Sequence, residues 1–258
     1  MVSFIGAGPG APDLITVRGR QRLAEADLIL YADSLVAPEL TGYAKAGAEV
    51  RGTAAMHLDE IVGLIEDAVR AGRQVARLQS GDPSLYGAIH EQMKRLEQAG
   101  ISYEVIPGVC AFSAAAAALA LELTKPGAAQ TVILTRYAGR TGMPEQEALE
   151  RLAQHGTTLV LHLSIAHLSA VLRALRAGGY KDDTPVVVVH RVTWQDERIL
   201  RGTIATIAEQ VRGARITRQA LILVGAVCGQ GKGGEGRSKL YSPSFSHLFR
   251  PATKRSGR

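Results

Sequence analysis

The run Val2-Ser3-Phe4-Ile5 breaks on Gly6-Ala7-Gly8-Pro9-Gly10, and no other stretch narrows the fold of this chain so far. A short apolar run closed at its carboxyl end by alternating glycines predicts a buried first strand of a parallel sheet with a tight turn above it. Ligands of such sheets gather at the strand ends. A nucleotide cradle is the first chemistry to test, because glycines let backbone N–H groups approach a phosphate. Pro9 removes one of those donors, and neither the spaced third glycine of a dinucleotide fingerprint nor Gly-Lys-Ser/Thr follows. The turn therefore reads as backbone presented to some other ligand.

Helix and strand patterns then alternate. A helix is expected over 18–26, and Leu28-Ile29-Leu30-Tyr31 is a strand ending in the polar turn Ala32-Asp33-Ser34. Ile61, Leu64, Ile65 and Ala68 recur at helical spacing, with Asp59 and Glu60 in the first turn and Gly72 past the end. A strand over 74–78 leads into Ser80-Gly81-Asp82-Pro83-Ser84-Leu85-Tyr86-Gly87, and Tyr103-Glu104-Val105-Ile106 is halted by Pro107-Gly108. Between them Ile89, Met93 and Leu96 mark a helix face. The alanine-rich run 112–121 is apolar on nearly all sides and predicts a helix buried between layers. Leu123-Thr124-Lys125-Pro126-Gly127 marks the best break in the chain.

Beyond the break, strands are expected over 131–134, 158–163, 185–190, 199–202 and 220–225. Helices are expected over 145–154, 166–177 and 204–211, the last capped by Thr203. Neighbouring strands near Val186 and Ile199 suggest antiparallel pairing. The fold class is α/β in two domains, 1–122 with a mainly parallel sheet and 123–228 with a mixed one. A glycine-rich, basic tail over 229–258 reads as flexible or docked.

With 46% apolar residues in 258 and mixed charge, the chain falls outside the disordered class and predicts a soluble globular protein. Its apolar runs are too short for a bilayer span, and no charged n-region precedes an apolar h-region, so a cytoplasmic location is expected. Cys110 and Cys228 stand far apart without CxxC or a histidine cluster, which argues against a disulfide framework or zinc site and for two small buried residues. The net charge of +6 is partly a tail effect, since Lys239, Arg250, Lys254, Arg255 and Arg258 lie in the last twenty residues. His162 and His190, among apolar neighbours, read as core or cleft-wall residues, and Trp194 and Phe112 as packing residues.

Three loops follow strand ends in the first half, 6–12, 80–87 and 107–113, and the switch-point rule sends them to one cleft. Their order and spacing resemble the tetrapyrrole methylase family, two-domain enzymes that use S-adenosylmethionine (SAM). Val75-Ala76-Arg77-Leu78, Gly81-Asp82, Tyr86-Gly87, Leu96, Tyr103, Val105 and Pro107-Gly108 match the family's long signature. The opening glycine turn, Arg191-Val192-Thr193-Trp194-Gln195 and Gly202-Thr203 are also similar to family motifs. Tyr31-Ala32-Asp33-Ser34-Leu35-Val36 and Thr135-Arg136-Tyr137-Ala138-Gly139-Arg140-Thr141 look like the subgroup that methylates C11 of precorrin-4.

The resemblance implies SAM contacts at Pro9, Ser80, Gly81, Asp82, Leu85, Cys110, Ala111, Leu163 and Val192, several through backbone. Cys110 departs from the family's usual Ser or Thr and Leu163 from its usual Met. Asp82 is the acid placed beside the reaction, its bland alternative being a turn-forming residue before Pro83. Tyr31, Asp33, Ser34, Arg136, Tyr137 and Arg140 are the implied substrate residues, the arginines suited to carboxylates of a tetrapyrrole. Methyl transfer from a sulfonium asks for alignment and exclusion of water rather than a catalytic triad or a protein-bound metal, and no such set is evident. The implied reaction makes precorrin-5 and S-adenosylhomocysteine in cobalamin biosynthesis. A homodimer with the cofactor between its two domains is implied too, with no nucleic-acid or membrane partner. Cobalt-precorrin-4 is the alternative substrate; an RNA or translation-factor methyltransferase and a nucleotide-binding module remain as further alternatives.

Overall fold

The computed structural model describes residues 1–139, 141–229 and 238–251. Two compact units divide the chain. One comprises Met1–Ala120 with Val189–Arg198, the other Leu121–Val188 with the described residues from Ile199 onward.

The first unit carries β1 (Val2–Gly6), α1 (Val17–Glu25), β2 (Leu28–Tyr31), β3 (Glu49–Gly52), α2 (Leu58–Arg70), β4 (Val75–Gln79), α3 (Ile89–Gln98), β5 (Tyr103–Ile106) and α4 (Ala111–Ala118). Its five strands lie in the order β3-β2-β4-β1-β5, and every neighbouring pair is parallel. Alternate side chains feed two cores. Phe4, Leu30 and Val75 pack with Ile61, Ile65 and Leu96 on one face, while Ile5, Ile29 and Leu78 pack with Leu23 and Leu40 on the other. Burial on both faces explains why β1 reads as a continuous buried run rather than an alternating one.

The second unit holds β6 (Val132–Arg136), α5 (Leu149–Ala153), β7 (Thr158–His162), α6 (Leu168–Ala177), α7 (Ile207–Gly213) and β10 (Ala220–Val224). β8 (Pro185–His190) and β9 (Arg198–Thr203) complete a sheet ordered β6-β7-β10-β8-β9. β6 and β7 run parallel and β10 antiparallel to β7, so the sheet is mixed. Leu159, Leu161, Ile222 and Val188 form a core with Val171 and Leu175 of α6 and Ile207 of α7.

Several expectations need correction. α4 is not buried between layers: only Ala114 and Ala115 within it are buried, and Ala117 and Ala118 are exposed. Alanine forms helix equally well on a wet face, so an all-apolar pattern made of it carries no burial information. α7 begins at Ile207, not 204, because Thr203 still belongs to β9 and its N–H donates to Thr206 Oγ1 at 2.9 Å. β3 was not expected, and Cys110 is half-buried rather than buried. Of the tail, 230–237 and 252–258 lie outside the described residues. Among those described, no helix is long and apolar enough to cross a membrane.

Candidate active site

The strand order of the first unit creates its site. From β1 the chain moves towards β2, and from β4 it crosses β1 to reach β5, so connections leave the adjacent carboxyl ends of β1 and β4 in opposite directions. That is the switch point where open parallel sheets bind ligands. The two loops are zipped there by backbone: Gly81 N–H donates to Gly8 O at 2.8 Å and Gly8 N–H to Gly81 O at 3.2 Å. The third loop closes on both. A Cβ on Gly108 would stand 2.2 Å from Gly81 O and 2.8 Å from Gly6 Cα, and one on Gly6 would stand 2.5 Å from Gly108 Cα. These glycines thus permit backbone contact between the loops.

Asp82 ties the loops together through its side chain. Oδ1 accepts from the Ser84 N–H at 2.8 Å and from the Ser84 hydroxyl, while Oδ2 accepts from the Gly108 N–H at 2.8 Å. Burial would raise its pKa, but these donors outweigh it and hold the carboxyl below the ordinary value of 3.8. At neutral pH it is a carboxylate whose oxygens are already engaged. Such a group can fix geometry and present negative charge, but it is poorly suited to take a proton. Pro9, Ser80, Gly81, Leu85 and Cys110 belong to the same three loops, and Ala111 opens α4 directly after the third. Cys110 stands before α4 without a side-chain bond into the helix, and its carbonyl oxygen accepts from the Ser113 and Ala114 N–H groups at 3.1 and 3.2 Å. Burial, and then the charge of Asp82, push the Cys110 thiol pKa up.

Val192 lies in the segment that joins β8 to β9 yet belongs to the first unit, buried. Its neighbours grip the opening turn. Trp194 Nε1 donates to Pro9 O at 3.0 Å, and the Ala11 N–H donates to Thr193 Oγ1 at 2.9 Å. Sequence reasoning treated Trp194 as packing, because no spacing pattern links residues so far apart in the chain.

Tyr31 is the last residue of β2 in the same sheet, and Asp33 and Ser34 lie just beyond it. Tyr31 O accepts from the Thr53 N–H and hydroxyl at 2.9 and 3.0 Å, and Asp33 Oδ1 accepts from the Ala54 N–H at 2.7 Å. Behind them Arg77, buried and with its pKa brought down to about 10 by desolvation, donates to Thr53 Oγ1 at 3.0 Å. Arg77 was seen in the sequence only as a letter of the signature; in the structure it buttresses this strand end.

In the second unit Arg136 and Leu163 mark the adjacent ends of β6 and β7, Arg136 pairing with His162. The Arg136 guanidinium donates to Thr141 O at 3.1 Å and Gly142 O at 2.6 Å, bracing its own loop. Tyr137 N–H donates to Ser164 Oγ at 2.7 Å, and its ring lies 5.9 Å from that of His167. Leu163 is 68% exposed in a left-handed conformation (φ 53°), a backbone state that side-chain-bearing residues rarely adopt. Arg140 lies outside the described residues. Burial depresses the pKa of His162 to about 4, leaving it neutral, and also lowers that of His190. Among the described residues no cluster of three metal-ligating side chains occurs.

Comparison with known proteins gives the family. A family profile described as Tetrapyrrole (Corrin/Porphyrin) Methylases matches residues 1–208. The cobalt-precorrin-4 C(11)-methyltransferase of Methanocaldococcus jannaschii is 46% identical over 254 residues, 98% of this chain and 97% of that protein. The precorrin-4 C(11)-methyltransferase of Pseudomonas aeruginosa is 49% identical over 250 residues, covering 97% and 98%. Among solved structures, a cobalt precorrin-4 methyltransferase superposes with a TM-score of 0.87 at 48% identity, covering 89% of this chain and 96% of that one. The uroporphyrin-III C-methyltransferase of Thermus thermophilus, complexed with S-adenosylhomocysteine, gives 0.73 at 28% identity, covering 88% and 97%. With a profile match over most of its length and near full-length relatives, the chain belongs to the tetrapyrrole (corrin/porphyrin) methylases.

Proposed function

We propose that this chain is a SAM-dependent methyltransferase acting on C11 of precorrin-4 in cobalamin biosynthesis. The observation that carries the reading is 46% and 49% identity, over nearly the whole chain, to proteins named cobalt-precorrin-4 and precorrin-4 C(11)-methyltransferase. The loops are chemically suited to SAM, which carries a carboxylate, an amino group and a sulfonium. They offer backbone donors at the start of α4, backbone acceptors, small side chains and the ionised Asp82. Bound SAM supplies a methyl already activated by its positive sulfur, to be attacked in line by an electron-rich carbon.

The chain's own task is positioning. Pro9, Ser80, Gly81, Leu85, Cys110, Ala111 and Val192 would hold the cofactor, and the family resemblance adds Leu163. Asp82 would keep the second and third loops in register rather than move a proton. Fixing the two reactants can lower the barrier by about 7–11 kcal/mol in favourable cases. Tyr31, Asp33, Ser34, Arg136, Tyr137 and Arg140 would meet the tetrapyrrole. The family resemblance extends the proposal to a homodimer in the cytoplasm.

Relatives named for cobalt-precorrin-4 and for precorrin-4 match about equally well, so cobalt-precorrin-4 is the second reading. Incubating the protein with SAM and either substrate, then locating the new methyl by mass spectrometry, tests both. Methylation at C11 of the metal-free ring is the expected result. Turnover of the cobalt form alone selects the second reading, and turnover of neither removes the proposal.

A further inference from the structure

The segment between β8 and β9 is an expensive piece of backbone. Arg191 and Thr193 both adopt left-handed conformations, with φ of 47° and 68°. For a β-branched residue such as Thr193 this is a real outlier, and it persists only where surrounding contacts over-determine it. Those contacts are visible. The Thr193 N–H donates to Glu197 Oε2 at 2.6 Å and the Trp194 N–H to Arg191 O at 3.0 Å. Arg191 pairs with Asp196 at 2.8 Å and lays its guanidinium 4.3 Å from the Trp194 ring centroid. The strained turn therefore delivers two side-chain groups, the Thr193 hydroxyl and the Trp194 indole N–H, at fixed positions.

Both groups are spent on the opening turn. One receives the Ala11 N–H and the other donates to Pro9 O, bracketing Gly10. A Cβ at Gly10 would stand 2.4 Å from Trp194 Cδ1 and 2.8 Å from Thr193 Oγ1, so the indole lies directly on that backbone. Pro9 cannot donate a hydrogen bond, and the turn has few of its own to hold its shape. If Trp194 were only filling space, neither its indole N–H nor the strain at Thr193 would be needed.

We propose that Thr193 and Trp194 are positioning residues that set the conformation in which the Gly8–Ala11 turn meets the cofactor. This rests on the reading that the three loops of the first unit hold SAM. Trp194 is the chain's single tryptophan, which makes its emission a direct reporter of the turn.

Titrating the full-length protein with S-adenosylhomocysteine tests the proposal by tryptophan emission in the wild type and by calorimetry in the variants. The wild-type emission is expected to change with saturable dependence on ligand. Trp194→Phe keeps an aromatic ring but leaves Pro9 O unpaired, and Kd is expected to rise by about tenfold. Thr193→Gly relieves the backbone strain while deleting the hydroxyl. Its melting midpoint should hold or rise while its Kd also rises about tenfold, a divergence that a purely structural role cannot produce. Thr193→Ser should restore wild-type affinity, and with saturating SAM the KM for the tetrapyrrole should stay unchanged in all three variants. Unaltered Kd values in Trp194→Phe and Thr193→Gly, or affinity that falls only in step with the melting midpoint, would overturn the proposal while leaving the SAM reading intact. A wild type that binds no S-adenosylhomocysteine would remove both.

Discussion

Asp82 concentrates the residue-scale logic of the site. One carboxylate satisfies three donors from two loops, and these donors, not a neighbouring cation, hold its pKa down. Asp82→Asn has one acceptor oxygen in place of two, so either Ser84 or the Gly108 N–H must face an amide NH2. The loss should be about 1–2 kcal/mol, the usual scale for a donor left unpaired. The pH dependence follows from the lowered folded pKa. The stabilisation from ionised Asp82 is complete above the ordinary value of 3.8 and is lost as pH falls through the lower folded value. Melting curves of wild type and Asp82→Asn should therefore differ by a constant amount from about pH 8 to pH 5 and converge only below about pH 4. Convergence near neutrality would mean that a different group carries the effect.

At the scale of elements, the loops depend on backbone contact, and glycines of different kinds can be told apart. Gly108→Ala would press a methyl against Gly81 O and Gly6 Cα, atoms that cannot rotate away. Overpacking of this kind costs about 1–3 kcal/mol and should also weaken cofactor binding, since all three loops must shift. Gly63, inside α2 with nothing within 4 Å of its would-be Cβ, is the internal control. Gly63→Ala should stabilise by about 0.5–1 kcal/mol. Chemical denaturation of the two variants checks both signs. The same distinction shows what could be read in advance. β1, β2, β4 and β5 were legible because each is a short run rich in apolar and β-forming residues, cut off by Gly, Pro or a polar turn. β3, a four-residue edge strand of sequence Glu49-Val50-Arg51-Gly52, carries no such pattern, because only one side of it meets another strand. The loops that hold Asp82 were found because they end strands of one parallel sheet. The bonds from Thr193 and Trp194 to the opening turn were not, because a pairing across more than 180 residues leaves no local periodicity.

For the molecule as a whole, the chain path decides which distant segments share a fate. Val189–Arg198 is flanked by strands of the second sheet but belongs to the first unit, where it holds the turn that opens the sequence. Nearly all the residues proposed to hold SAM thus lie in one unit, although the chain leaves that unit before Val192 brings it back. A ligand that binds only the folded form stabilises it by RT ln(1 + [L]/Kd), about 2.7 kcal/mol at a hundredfold excess over Kd. Part of that stabilisation should appear as slower amide exchange where local opening breaks the site. With saturating S-adenosylhomocysteine, exchange should slow in the loops after β1, β4 and β5 and equally in 191–197, although that segment is remote in sequence. The amides of β10, in the core of the second unit, should change little, because opening of that unit alone leaves the loops of the first intact. Protection of the first three loops without 191–197 would separate that segment from the cofactor site, and uniform protection of both sheets would point to ligand-linked global stability instead of a local grip.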